Sequence, residues 1–156
     1  MPNGHKQRLQ EMLRLTGEDL KATAKELEAA GAFENKLPGV RSPREILAHI
    51  AGGHWLCAHV LNGGTDEGYR PPDPDEHPNL EAWLERLERE RENLCATIEA
   101  VPDQRLGESL MAWGNTGEQK REMTVAQMVL FYGPIHEAWH TAQLALLADL
   151  FSAQNV

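Results

Sequence analysis

Seven histidines are spread through the chain: His5, His49, His54, His59, His77, His136 and His140. Only His136 and His140 stand four apart. On a helix that spacing places them about 40° apart on one face, close enough to share a metal ion. The surrounding segment is the most apolar in the sequence. Val129, Tyr132, Gln143 and Leu147 fall on the same helical face, so the pair is expected to point inward. Two buried imidazoles need partners, either a shared cation or backbone carbonyls and water. The stretch His136-Glu137-Ala138-Trp139-His140 also fits HExxH, with Glu137 in the place of a general base. Glu137 lies about 100° round the helix from His136, and no sheet or downstream ligand accompanies it, so peptidase chemistry is disfavoured.

A catalytic metal needs a third ligand and an open position. The remaining candidates sit in one helix. His49, His54 and His59 recur at steps of five, a rotation of about 140°, so they cannot share a face. Ile46, Ile50, Cys57 and Val60 mark the apolar stripe there. His59 falls on the solvated side, and His49 and His54 flank the stripe. Periodicity mildly favours His54.

Four helical segments must position these groups. The first runs from about His5 to Ala30, with Leu9, Leu13, Thr16, Leu20, Thr23 and Leu27 on one face and Gly31 as its stop. The second opens at Ser42-Pro43-Arg44-Glu45, a capping box with proline at the first helical position, and ends at Asn62-Gly63-Gly64. The third spans about Leu80 to Ala100 and stops at Val101-Pro102-Asp103. The fourth is expected from Thr124 to Phe151. Its only formally charged side chains are Glu137 and Asp149, so it is central or meets a second subunit. Pro134 should kink it just before His136. No alternating apolar-polar run is evident, so strands are not expected. The reading is an all-α four-helix bundle with long connections, one domain over residues 1–156.

Composition sets outer bounds. The chain has 156 residues, 41% hydrophobic and 25% charged, with a formal net charge of −9. That charge argues against nucleic acid and against an anionic membrane surface as partners. No apolar run is long enough for a membrane span, and the first residues carry no secretory signal pattern. Two cysteines, Cys57 and Cys95, make no disulfide framework and suit a reducing cytoplasm. Both fall on or near apolar stripes and read as inert core thiols.

The segment SPREILAHIAGGHW, followed some eighty residues later by HEAWHTAQL, resembles the DinB/YfiT-like superfamily of metalloenzymes. The resemblance covers essentially the whole chain. It places the helix-two ligand seven residues after the capping Ser42 and just before Ile50-Ala51, and so selects His49 over His54. The metal ligands it implies are His49, His136 and His140. Gln143-Leu144 also matches the usual ending of the motif. The resemblance further implies an up-down-down-up bundle, frequently a homodimer, with a divalent metal in a cleft. Zn or Ni are the expected ions, with Fe or Co as other choices for all-nitrogen ligation. Members of known activity include thiol-dependent S-transferases that use bacillithiol. The functional expectation is therefore a metal-dependent thiol transferase or hydrolase acting on a small molecule. The alternative is a non-enzymatic, metal-stabilised stress-response or ligand-binding dimer. A purely structural helical dimer without metal is a third reading.

Four further residues carry expectations. Glu45 lies one turn before His49 and reads first as the capping-box acid, otherwise as a partner of the ring. Gln143, one turn after His140, is a candidate to orient a ring. Arg91 falls in the apolar stripe of the third helix, between Leu87 and Leu94. It reads first as an arginine with a packed stem and a wet head, and otherwise as an ion pair or anion site. Trp113, in the loop Met111-Ala112-Trp113-Gly114, is placed at a pocket mouth.

Overall fold

A computed structural model describes residues 3–113 and 119–154. The termini of its helices follow from local chemistry. Helix α1 spans Asn3–Ala29. Gly31, at φ +70°, then turns the chain into the left-handed region. The amide of Ala32 reaches back to the Leu27 carbonyl, and that of Gly31 to the Glu28 carbonyl. This pair of bonds is the Schellman closure that a C′ glycine permits. Helix α2 spans Pro43–Leu61. The Ser42 side chain accepts from the Glu45 amide, and the Glu45 carboxylate accepts from the Ser42 amide. Gly63 and Gly64 repeat the Schellman closure at its far end. Helix α3 spans Leu80–Ala100, capped by the Asn79 side chain.

One feature differs from the sequence reading. A short helix α4 (Asp103–Leu106) leads into an antiparallel hairpin, β1 (Ser109–Trp113) and β2 (Lys120–Thr124), where no strand is expected. Most of its side chains are exposed, so the strands carry no hydrophobic alternation to betray them. The fourth helical segment has the expected kink just before His136, and the kink takes the form of a π-turn between two shorter helices. Helix α5 covers Val125–Leu130, a π-turn covers Phe131–Ile135, and helix α6 covers His136–Gln154. Pro134 has no amide hydrogen to donate, and Gly133 takes up the break at φ −95°, ψ −107°. The start at Thr124 is the expected one, with Gln127 completing a second capping box.

The molecule is mostly helical. Helix α1 packs on α6 and α3, and α2 packs on α3 and α6, so each long helix has two neighbours. Two apolar clusters form the core. One gathers Leu20, Leu27, Ile46, Ile50, Trp83, Leu87, Leu144 and Leu147. The other gathers Leu9, Leu13, Cys57, Leu61, Leu94, Ile98, Met128 and Val129. A polar residue falls between the two clusters along α1, α2 and α3, namely Thr16, His54 and Arg91, and Glu137 falls between Val129 of α5 and Leu144 of α6. The core is therefore divided by a polar layer, and the histidines of α6 lie at the same level of the chain. Among the described residues, no helix is long and apolar enough to cross a membrane.

Candidate metal centre

His49 is carried by α2, two turns after its fixed start, and His136 and His140 occupy the first turns of α6. The break at Gly133-Pro134 ends just where α6 begins, and so sets the direction in which His136 leaves the backbone. The result brings three ring nitrogens together. His136 Nε2 lies 3.0 Å from His49 Nε2 and 3.1 Å from His140 Nε2. One donor atom from each of the three residues lies within 4.8 Å of the others. The rings meet edge to face, with centroids 4.5 to 4.9 Å apart.

Nitrogens bound to a single ion at about 2.0–2.1 Å, the Zn–N distance, stand roughly 2.8–3.4 Å apart for angles between 90° and the tetrahedral value. Both separations from His136 Nε2 fall within that range. Protons alone satisfy the cluster poorly. A neutral imidazole has one N–H, and a proton on His136 Nε2 can be directed at only one of its two neighbours. The tautomer of His140 is set from outside. Its Nδ1–H donates to Gln143 Oε1 at 2.6 Å, which leaves the Nε2 lone pair facing the cluster. The donor set and its geometry thus fit a divalent cation.

Burial keeps the rings in the neutral, ligand-ready form. Desolvation pushes His136 down to about 2 from an ordinary 6.5, helped by the two neighbouring rings. His49 is lowered to about 4 by desolvation, then by the positive charge of Arg41. His140 is lowered by desolvation, against the opposing effect of its bond to Gln143.

The polar layer abuts this cluster. Glu137, next to His136 in the chain, is 0% exposed. Its carboxylate accepts from Thr16 Oγ1 at 2.6 Å and pairs with Arg91 Nη2. Arg91 is 7% exposed, and its other terminal nitrogen donates to Glu88 at 2.6 Å. A helix residue with any side chain at position 17 would collide with it, because a Cβ on Gly17 would stand 2.2 Å from Arg91 Cζ. Glycine in a helix interior costs about 1 kcal/mol, and here it makes room for the guanidinium. The wet-headed arginine expected from sequence is corrected: the head is buried and ion-paired across 46 residues of chain. Glu137 is likewise committed to Arg91 and Thr16, which leaves it no role as a base in an HExxH site.

Other candidates fall elsewhere. His54 is 0% exposed, and neither ring nitrogen has a hydrogen-bond partner among the described residues. Burial holds its pKa near 4, with Glu137 and Arg91 acting in opposite directions. It stands apart from the three-ring cluster. Glu45 is spent on the cap and on Lys36, at 2.8 Å, and makes no hydrogen bond to His49. Gly53 was not singled out from sequence, yet it admits the His136 ring: a Cβ there would stand 3.1 Å from Nδ1. His59 is exposed and stacks on Trp55. Cys57 is fully buried with its thiol pushed up to about 12, and Cys95 is half-buried and also raised by desolvation.

The family model for the DinB superfamily matches residues 12–144. The chain belongs to the DinB superfamily. That match spans α1 to the middle of α6 and includes all three clustered histidines. No curated protein matches the chain.

Proposed function

We propose that this DinB-superfamily protein is a divalent-metal enzyme. In this reading His49, His136 and His140 hold the ion, and its open side receives a thiol or water. The observation that carries the proposal is the convergence of three Nε2 atoms, two contacts being 3.0 and 3.1 Å, from helices far apart in sequence. A divalent ion held by three neutral imidazoles leaves coordination positions free and brings the pKa of a bound thiol or water toward neutrality. Zn or Ni suits the all-nitrogen set best, with Fe or Co as other choices. Gln143 fixes the His140 ring. The Arg91–Glu137–Thr16 network holds the first turn of α6 against α1 and α3, and with it His136. The reaction favoured is transfer of a low-molecular-weight thiol such as bacillithiol to an electrophile, or hydrolysis at the same centre. The family resemblance also supports an up-down-down-up course for the four long helices.

The test pairs zinc- or nickel-loaded protein with bacillithiol and 1-chloro-2,4-dinitrobenzene. The thiol proton passes to solvent, and the sulfur bonds to the ring carbon as chloride leaves. A rate above background that disappears in His136→Ala supports the proposal. Failure with thiol acceptors and with activated esters alike contradicts it. One observation favours a second reading, a metal-stabilised binding protein without a reaction: the one carboxylate adjoining the cluster in sequence, Glu137, is consumed by Arg91.

Self-association belongs to the same proposal. Ile135, Trp139, Leu146 and Leu150 are exposed on and just before α6, and Met12 and Leu15 are exposed on α1, which packs on α6. Apolar exposure on this scale points to an interaction surface. Sedimentation should give twice the 17.4 kDa chain mass, and Leu146→Lys should return it to one chain. Wild-type protein at the single-chain mass at 100 µM, a concentration on the order of that at which weak dimers form, contradicts it.

A further inference from the structure

A second concavity lies beyond the histidines, on the hairpin side of the molecule. None of the three clustered residues lines it. Its volume is about 680 Å³, within the size range of small-molecule sites. Leu56 and Val60 of α2, Leu110 and Met111 of β1, and Met128 and Tyr132 form its walls. Leu56 follows Gly53, which admits the His136 ring, by a single helical turn. Trp113 closes one side, where sequence reading places it at a pocket mouth.

The lining has a consistent chemistry. Two methionine sulfurs, two aromatic rings and a buried thiol give a soft, polarisable surface. The Cys57 thiol stays protonated there, since burial pushes it to about 12. The Tyr132 hydroxyl donates to the Trp113 carbonyl at 2.7 Å. That bond ties the end of β1 to the π-turn and turns the tyrosine's ring, rather than its hydroxyl, into a wall. Met111 and Trp113 are 58% and 38% exposed, a large apolar area to leave in water on one short strand.

The rim decides the charge of the occupant. Among the described residues its cations are Lys120 and Arg105. Lys120 pairs with Asp66 at 2.8 Å and lies 5.3 Å over the Trp113 ring. Arg105 pairs with Glu108 and donates to the Val60 carbonyl. Both cations are thus already matched by carboxylates, and Glu67 adds a further negative charge. An anionic ligand would have to displace an existing pair, whereas an uncharged ring would pack against Tyr132 and the methionines without disturbing either.

We propose that this cavity is a binding site for a neutral, aromatic small molecule, formed by α2, the hairpin and the π-turn. It stands whether or not the histidine cluster holds a metal, so its test is independent of the proposed reaction. The probe is N-phenyl-1-naphthylamine, uncharged and fluorescent in apolar surroundings, titrated into full-length protein with chelator present. The expected result is saturable binding of one probe per chain. Affinity should fall at least tenfold in Met111→Asp and in Trp113→Asp. Both positions are exposed, so neither change should alter the thermal midpoint appreciably. Affinity should be unchanged in His136→Ala. The sulfonated relative 8-anilino-1-naphthalenesulfonate should bind at least tenfold more weakly than the neutral probe. Absence of saturable binding, binding indifferent to both Asp variants, or equal affinity for the anionic probe would each overturn the proposal.

Discussion

Replacing Arg91 by methionine isolates the energetics of the polar layer. Methionine keeps an unbranched stem against Leu87 and Leu94 but removes the guanidinium. Glu137, which has no solvent exposure, then retains, among the described residues, only the Thr16 hydroxyl as a hydrogen-bond partner for its carboxylate. Breaking a buried pair from one side costs about 3–5 kcal/mol, because an uncompensated charge stays behind. For a chain of this length each kcal/mol moves the melting temperature by about 2–4 °C, so a loss of roughly 6–20 °C is expected. Urea and thermal denaturation of the metal-free protein would measure it. The double variant Arg91→Met/Glu137→Leu supplies the control. Apolar replacement of both partners is often close to neutral, so the double variant should be more stable than Arg91→Met alone. A single-variant loss below about 1 kcal/mol, typical of an exposed pair, would refute the reasoning. So would a double variant whose loss equals the sum of the two single losses.

Two further outcomes follow from the site. Gln143→Leu removes the acceptor for His140 Nδ1–H, and metal affinity measured by chelator competition should fall about 10–100-fold with the fold intact; unchanged affinity would show that the ring needs no orienting partner. In acid, His54 and the clustered histidines resist protonation in the folded state while the unfolded chain protonates near its ordinary value. Their contribution is complete above about pH 6.5 and is lost as pH falls toward the folded values, about 4 for His49 and His54 and about 2 for His136, by about 1.4 kcal/mol per unit for each histidine that stays neutral. The urea midpoint of metal-free protein should fall between pH 7 and 5, less steeply in His54→Leu. A midpoint that rises over that interval would contradict the burial of these rings.

The parts of the structure legible in the sequence are those fixed by local chemistry. The capping box at Ser42, the glycine closures after α1 and α2, and the disruption at Pro134 each depend on a few adjacent residues. The hairpin was hidden because its strands are short, mostly exposed and held by pairing rather than by a buried face. Periodicity favoured His54 on α2, and His54 is indeed the more buried ring. An apolar stripe reports burial, however. A histidine in the cluster must instead lie at the edge of that stripe, turned toward α6, and only the family resemblance pointed to His49.

The Arg91–Glu137 pair shows a different limit. Each residue was conspicuous alone, a cation in an apolar stripe and one of two acids in an apolar helix. Their meeting depends on how α3 and α6 pack, which no local window contains. Seen together, one isolated cation and one isolated anion in otherwise apolar faces were the available signal. The cost of burying either without the other makes their pairing the natural solution.

The central claim is that His49, His136 and His140 bind one divalent ion. Elemental analysis of protein purified without an affinity tag, compared with His49→Ala and His54→Ala under the same conditions, tests it most directly. The account predicts close to one divalent ion per chain in the wild type and in His54→Ala, and none in His49→Ala. A wild-type protein that takes up no stoichiometric metal when supplied with Zn or Ni, or one whose metal is lost in His54→Ala and kept in His49→Ala, would contradict it.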